Sequence, residues 1–482
     1  MRPRSAQTRP SNHARHAFYS TTHEAARIPE FLLRYFRHLT GPEVVNSAIV
    51  CRSWSTLALD TLWRHHEVPL SVLLGQLPFL YEKPFDGSED EAEFMFEVEA
   101  NSGLIHSSWH PLKEQSSPES IDVSAWNLVL DKYARRIARL FLDTTLLGSS
   151  IHLLDTLLNG SGSLVLCPSL KSLRFSMGPY VNLETLHSRA IPVLCGSSVT
   201  NIELDSLAES EEDPFNVNPI NVAEQLGVAL KTCGSQIQRF VLRSPYPNTF
   251  TPDFTLFTHL TEVHLDNLSL CGWRKLADNC PHLLKVYLKE GGTHRPDFTR
   301  DPTKSIDFLS LRKLSIDRAY LAYSVLVESN MPALESLAMN GLVRDDNGVM
   351  SMQLTERSSL LQEVELGIFN YSGGFGSIRT ALSSLCRLRK LKLDGILTKW
   401  DMADGDMDVL ARSVPRLQSI SITFVQAFGL TIPLTHATIL SLVQHCRQLT
   451  EIELPMDLSR ADDSEEKPVG FTPSTTVTTL KF

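Results

Sequence analysis

The sequence predicts an α/β protein in which a long array of short parallel strands and helices follows a small all-helical unit. Three observations support this fold class. A six-residue pattern, apolar-x-x-apolar-x-apolar, occurs thirteen times between residues 137 and 482. Apolar residues at helical spacing follow several of these copies, and a purely helical pattern occupies residues 28–64.

The thirteen copies share one arrangement of apolar side chains, and their starts are 23 to 38 residues apart. They occupy 137–142, 170–175, 199–204, 237–242, 260–265, 283–288, 311–316, 334–339, 361–366, 388–393, 417–422, 449–454 and 477–482. Because their last four positions alternate apolar and polar, each copy predicts a short strand with one buried face. One strand and its helix cannot bury an apolar face alone, so neighbouring units must stack.

The array resembles a leucine-rich-repeat solenoid of about thirteen irregular units, with parallel strands on the concave face and helices outside. Helical spacing appears, for example, in SIRTALSSLCRL (377–388), and residues 124–140 predict the first helix of the array. The last copy reaches the final residue, Phe482, where an open array end normally requires a cap. A proline is expected to end the helix in four units, namely at Pro168, Pro281, Pro332 and Pro415.

Residues 28–64 predict two or three short helices. Pro29 suits a first helical position, where its missing N–H would have no partner. TGP (40–42) breaks the chain, and a second helix is predicted near Glu43. In the third, VCRSWSTLALDTLW (50–63), apolar residues lie on several sides of the helix. The array or another protein must therefore cover the surplus apolar face.

The order of residues in this helical unit resembles an F-box. The resemblance is carried by Ile28, Pro29, Glu30, Leu33, Phe36, Val45, Ala48, Val50, Cys51, Trp54, Leu62, Trp63 and Arg64, with isoleucine at 28 where leucine is usual. The whole chain resembles fungal proteins in which an F-box containing LALDxLWR precedes leucine-rich repeats. In that family the F-box docks on the small Skp-type linker subunit of cullin-based ubiquitin ligases, and the repeats present a target protein. The resemblance implies that the linker subunit is bound by Pro29, Leu33, Phe36, Val50 and Trp54.

Charge and composition guide the domain assignment and limit the function classes. We expect a disordered basic tail at 1–27, the F-box at 28–68, a linker with an acidic insertion at 69–123, and the array at 124–482. The net charge of −10 argues against a nucleic-acid binder. The eight cysteines form no C-x-x-C pair, which favours a reducing, cytoplasmic or nuclear location. No apolar run is long enough to span a membrane.

Two stretches resemble cofactor or metal sites, and neither is complete. In GIFNYSGGFGSIRTALSS (367–384), Arg379 replaces the third glycine of a dinucleotide fingerprint, and Asp394 occupies a repeat position that holds aspartate in four other units. His106 and His110 are four residues apart but lack the glutamate and third ligand of a zinc protease. We therefore expect no cofactor, metal or catalytic residue.

Polar residues between the apolar positions predict a strip on the concave face, because side chains alternate along a strand. The candidate target-binding residues on this strip are Lys285, Tyr287, Lys313, Glu363, Glu365, Lys390 and Lys392. Their patterned charge suits a protein or peptide. Together with this strip, the resemblance to F-box proteins implies a non-catalytic adaptor, and we expect no nucleic-acid or membrane partners. The alternatives are a repeat-based scaffold or inhibitor outside ubiquitination, and an enzyme that uses the solenoid as a platform.

Overall fold

The computed structural model describes eighteen stretches of the chain. These are residues 29–50, 52–70, 133–143, 167–177, 194, 198–206, 230–231, 234–243, 252–266, 268, 270–289, 306–317, 329–342, 360–371, 375–397, 402–426, 434–456 and 477–481. The predicted basic tail, the acidic insertion, Ile28, Cys51 and the two histidines at 106 and 110 lie outside them. The chain divides into two compact units, Met1–Val199 and Thr200–Phe482.

The first unit begins with the three predicted helices. They are α1 (Pro29–Phe36), α2 (Gly41–Ala48) and α3 (Arg52–His65). The second helix begins before Glu43, because the Glu43 carboxylate accepts a hydrogen bond from the Thr40 N–H at 2.7 Å and closes a capping box. The helical prediction is confirmed, and the start of α2 shifts by two residues.

One side of α3 packs against α1 and α2. Leu32, Phe36, Val44 and Ala58 form the buried core of the three helices. Trp54 meets the ring of Phe36 edge-on, with 5.7 Å between ring centroids. This core covers one apolar side of α3.

The opposite side of α3 packs on the first strand units. Trp63 is buried, its ring lies 5.2 Å from that of Tyr133, and its carbonyl oxygen accepts a hydrogen bond from the N–H of Ala138 at 3.3 Å. The chain after α3 then forms β1 (Val68–Pro69), which pairs in parallel with β2 (Arg139–Asp143). The array therefore covers the second apolar side of α3.

The sheet of the first unit incorporates residues that the sequence assigned to the linker. Pro69 pairs with Phe141, and Leu70 is buried. Next to β2 lies β3 (Ser172–Met177), where Arg174 pairs with Glu67 at 3.3 Å. Residues 67–70 thus connect α3 directly to the sheet of the first unit.

The second unit carries a parallel sheet whose eleven described strands follow in chain order. They are β4 (Asn201–Ser206), β5 (Arg239–Arg243), β6 (Glu262–Leu265), β7 (Lys285–Leu288), β9 (Lys313–Ile316), β11 (Ser336–Leu342), β12 (Glu363–Tyr371), β13 (Lys390–Leu397), β14 (Ser419–Gln426), β15 (Glu451–Glu453) and β16 (Thr479–Lys481). A separate parallel pair is formed by β8 (Ile306–Asp307) and β10 (Ser329–Asn330).

Each of the thirteen sequence copies contains one strand. These strands are β2 and β3 in the first unit and the eleven strands of the main sheet in the second unit. The register aligns equivalent positions, so that Val263 pairs with Val286 and Leu265 with Leu288. These four side chains are buried. The strand predictions, the parallel order and the stacking of units are confirmed.

Four described helices lie between strands of the second unit. They are α4 (Leu270–Asn279), α5 (Phe375–Ser383), α6 (Asp404–Ser413) and α7 (His436–His445). Pro281 and Pro415 follow the ends of α4 and α6 as predicted. At Pro332 the prediction is wrong, since the residues before it form β10, and Ser329 there accepts a 2.7 Å hydrogen bond from Trp273.

The predicted helix over 124–140 is wrong in its described part. Ala134–Arg136 form a single 3-10 turn, and β2 begins at Arg139. Ile137, Leu140 and Leu142 are buried. Their spacing is that of a repeat strand. Burial of these side chains in the sheet outweighs the helical propensity of the preceding residues.

Hydrogen bonds from one helix to the next add to the stacking of the units. Asp404, at the start of α6, accepts from the N–H and hydroxyl of Thr435 at 2.9 and 2.7 Å, and from the hydroxyl of Thr438 at 2.5 Å. Burial would raise the pKa of Asp404, but these hydrogen bonds outweigh it and hold the pKa below its usual value.

We expect Asp404→Ala to lower the free energy of unfolding by about 2 kcal/mol at pH 7, because three donors lose a charged acceptor. The folded-state pKa is lowered, so this stabilisation is present above the unfolded-state value of about 3.9 and is lost as the pH falls through the folded one. Urea unfolding at pH 7 and between pH 5 and 3 measures both effects. Asp278→Ala on α4, at an exposed site, is the control; an equal loss in both variants would contradict the account.

Candidate protein-binding surfaces

The N-terminal helical unit exposes large apolar side chains in two places. Phe31 and Tyr35 lie four residues apart on α1, with 57% and 49% of their surface exposed. Ile49 and Val50, between α2 and α3, are 82% and 63% exposed. These four are among the seven exposed large apolar residues in the described part of the chain. Such a concentration is typical of surfaces that bind another protein.

The five residues implied to bind a linker subunit divide into exposed and buried groups. Pro29 and Val50 are exposed, and Leu33 and Trp54 are half-buried. Phe36 has no exposed surface and contacts Trp54, so it supports the helices from inside. The sequence missed Phe31, Tyr35 and Ile49. The i, i+4 spacing of Phe31 and Tyr35, one position before the core pair Leu32 and Phe36, was an available signal.

The predicted polar strip lies on one face of the sheet in the second unit, and its best-connected residue is Glu262. This carboxylate, on β6, accepts hydrogen bonds from Arg239 at 2.9 Å and from Lys285 at 3.1 Å on the two flanking strands. The ring of His264 lies 2.8 Å from the same carboxylate. Lys285, a predicted target-binding residue, is therefore paired within the chain.

Several contacts act on the pKa of Glu262 in opposite directions. Partial burial would raise it, but the hydrogen bonds from His264 and Lys285, the charge of Lys285 and the bond from Arg239 together lower it to about 2. The carboxylate is thus ionised throughout the physiological range. It is held by the three side chains around it.

Tyr287 is half-buried and contacts side chains of both flanking strands. His264 stacks on its ring with 4.2 Å between centroids and an angle of 15°, and Lys313 places its ammonium 5.5 Å from the ring centroid. Both neighbours come from adjacent strands. The structure therefore brings Tyr287 and Lys313 together as predicted, as parts of one stacked cluster.

The second predicted group also pairs internally. Lys392 contacts Glu365 at 2.6 Å and Asp394 at 2.7 Å, and hydrogen bonds to Asp394 and Glu365 raise its pKa. Glu363 accepts a hydrogen bond from Ser336 at 3.0 Å. Lys390 is exposed opposite Glu363 in the register.

The residues of the apparent dinucleotide fingerprint serve the repeat. Arg379 on α5 pairs with Asp406 on α6, and Asp394 contacts Lys392 and Thr423. Both link neighbouring units. No group of three or more potential metal ligands occurs in the described residues.

Comparison with known proteins matches the N-terminal helical unit to a family model. Residues 29–68 match the F-box-like family model. No curated protein matches the chain. Among solved structures, the chain is similar to an internalin (inlF) from Listeria monocytogenes, with 10% identity, a TM-score of 0.31, and 70% of this chain and 71% of that chain covered.

A second similar structure is the leucine-rich repeat-containing protein LegL7 from Legionella pneumophila. Its identity is 12%, its TM-score is 0.29, and the match covers 67% of this chain and 86% of that chain. TM-scores this low do not support any conclusion about the fold, which is assigned from the parallel sheet itself. Among the helices that the structure describes, none has the length and apolar character needed to cross a membrane.

We expect Glu262→Gln to lower the free energy of unfolding by about 1–2 kcal/mol at pH 7, since Arg239 and Lys285 lose their shared carboxylate. The folded-state pKa of Glu262 is lowered to about 2, below the unfolded-state value of about 4.3. The difference in free energy of unfolding between wild type and variant is therefore complete above about pH 4.3 and decreases as the pH falls toward 2. Urea unfolding from pH 7 to pH 3 tests this. A gap that widens on acidification would contradict the assignment.

Proposed function

We propose that this chain, whose residues 29–68 form an F-box-like domain ahead of a leucine-rich-repeat array, is a non-catalytic substrate adaptor of an SCF-type ubiquitin ligase. The F-box binds a Skp-type linker subunit and, through it, a cullin. The repeats hold a target protein in the cytoplasm or the nucleus. Ubiquitin transfer then depends on proximity that the other subunits supply.

The observation that carries this proposal is the exposed apolar surface of the F-box-like domain. Phe31, Tyr35, Ile49 and Val50 remain exposed although α3 is covered on both sides by its own core and by the first strands. Full burial of one such side chain contributes about 1.5–3 kcal/mol, so a partner that covers several of them gains substantial affinity.

The array supports the second half of the proposal. Its polar sheet face carries a rigid, internally paired pattern of charges centred on Glu262 and on Lys392. Groups that are already oriented by their neighbours lose little freedom when a partner binds. This favours specific recognition of a protein surface.

We expect the double variant Ile49→Glu/Val50→Glu to bind a purified Skp-type linker subunit roughly a hundredfold more weakly than the wild type, because two buried charges replace apolar contacts at the interface. Isothermal titration calorimetry measures the affinity. Neither side chain belongs to the buried core, so the fold is retained, and circular dichroism verifies this.

The matched control is Val409→Glu, which changes an exposed valine on α6 in the second unit and should leave linker binding intact. Phe36→Ala is unsuitable as a probe, since that side chain lies in the core. If the folded wild type fails to bind the linker subunit, the adaptor function is wrong. A repeat-based scaffold outside ubiquitination then becomes the better account.

A further inference from the structure

Three arginines form an exposed basic rim beside the sheet of the second unit. Arg387 lies in the turn before β13, Arg389 directly precedes that strand, and Arg416 lies in the turn before β14. All three side chains are exposed. We call these three residues the basic rim.

The backbone holds the basic rim in a fixed arrangement. The Leu388 N–H donates to the carbonyl oxygen of Leu385 at 2.9 Å, and the Leu417 N–H donates to that of Val414 at 3.1 Å. The two turns thus share the same backbone hydrogen bond, and the third of the four residues in each turn is an arginine, Arg387 or Arg416. Neighbouring parallel strands lie about 4.8 Å apart, so these two positions are adjacent.

Arg389 is fixed by the same ladder. Its N–H donates to the carbonyl oxygen of Gln362 at 2.7 Å, and its own carbonyl oxygen accepts from the N–H of Gln418 at 2.7 Å. The rim is therefore a rigid part of the array, with only the side chains free to adjust.

No carboxylate of the described residues lies within ion-pair distance of the rim arginines. Several other cations of the unit are paired with carboxylates, namely Arg239, Arg243, Lys285, Arg379 and Lys392. The rim thus concentrates positive charge in a chain whose net charge is −10. Like charges on adjacent units repel one another, and an anionic partner would relieve that repulsion.

We propose that the basic rim binds an acidic segment of a partner protein, in which glutamates or aspartates occur close together. Guanidinium groups match the geometry of carboxylates and bind them through two parallel hydrogen bonds. In an extended segment, carboxylates two residues apart are about 7 Å apart, and long arginine side chains that diverge from strands about 4.8 Å apart can span this distance. The inference rests on the proposed function only in taking that partner as the target held by the array.

The test uses the full chain and a fluorescein-labelled peptide of ten glutamates, with binding followed by fluorescence anisotropy. The triple variant Arg387→Gln/Arg389→Gln/Arg416→Gln should bind at least about tenfold more weakly than the wild type, since three carboxylate contacts are lost. The control triple Lys231→Gln/Lys275→Gln/Lys289→Gln removes the same charge at exposed positions outside the rim and should change the affinity less than about threefold. If the rim triple does not fold, each single rim variant should weaken binding about two- to fourfold.

Three results would overturn the inference. The wild type could fail to bind the peptide, or both triples could lose affinity equally, which would indicate a diffuse charge effect. The wild type could also bind a ten-nucleotide oligouridylate more tightly than the peptide, which would point to nucleic acid. Binding of the linker subunit by the rim triple is measured in parallel and should be unchanged. Failure of the rim is thereby distinguished from failure of the adaptor function, which depends on residues 29–68.

Discussion

Parallel pairing between consecutive repeat strands is the interaction on which the rest of the structure depends. A unit such as Glu262–Leu265 is four residues long and buries Val263 and Leu265 only because β5 and β7 lie beside it. The same register places polar residues of successive units side by side. The contacts of Glu262 with Lys285, the contacts of Lys392 with Glu365 and the position of the basic rim therefore all result from equivalent positions that meet across neighbouring strands.

The N-terminal helices obey the same constraint. The last of them is covered by its own core on one side and by Tyr133 and the first repeat strand on the other, and β1 adds to the sheet edge. A small unit that cannot bury α3 alone thus becomes part of the array's end. Its remaining exposed apolar side chains, Phe31, Tyr35, Ile49 and Val50, are then available for a partner.

The thirteen strands were predictable from the sequence because one apolar spacing recurs, and the three short helices because Pro29, TGP and the apolar period mark them. The strand β1 was not predictable, since Val68–Pro69 is too short to show a period. Charge pairing was also missed. The motif identifies the residues on the polar face, but their partners depend on side-chain directions, so the pairing of Lys285 with Glu262 and of Lys392 with Glu365 is seen only in the structure. The three arginines of the basic rim precede the strands, outside the positions that predict the polar strip.

In the proposed function, an apolar surface on the helical unit joins a ligase, and a charged surface on the array selects a target. The most direct measurement is sedimentation velocity of the purified chain mixed with a Skp-type linker subunit and a cullin N-terminal domain. The account predicts a single species containing one copy of each protein, which does not form when the linker subunit is omitted. A folded chain that sediments alone in the complete mixture would contradict it.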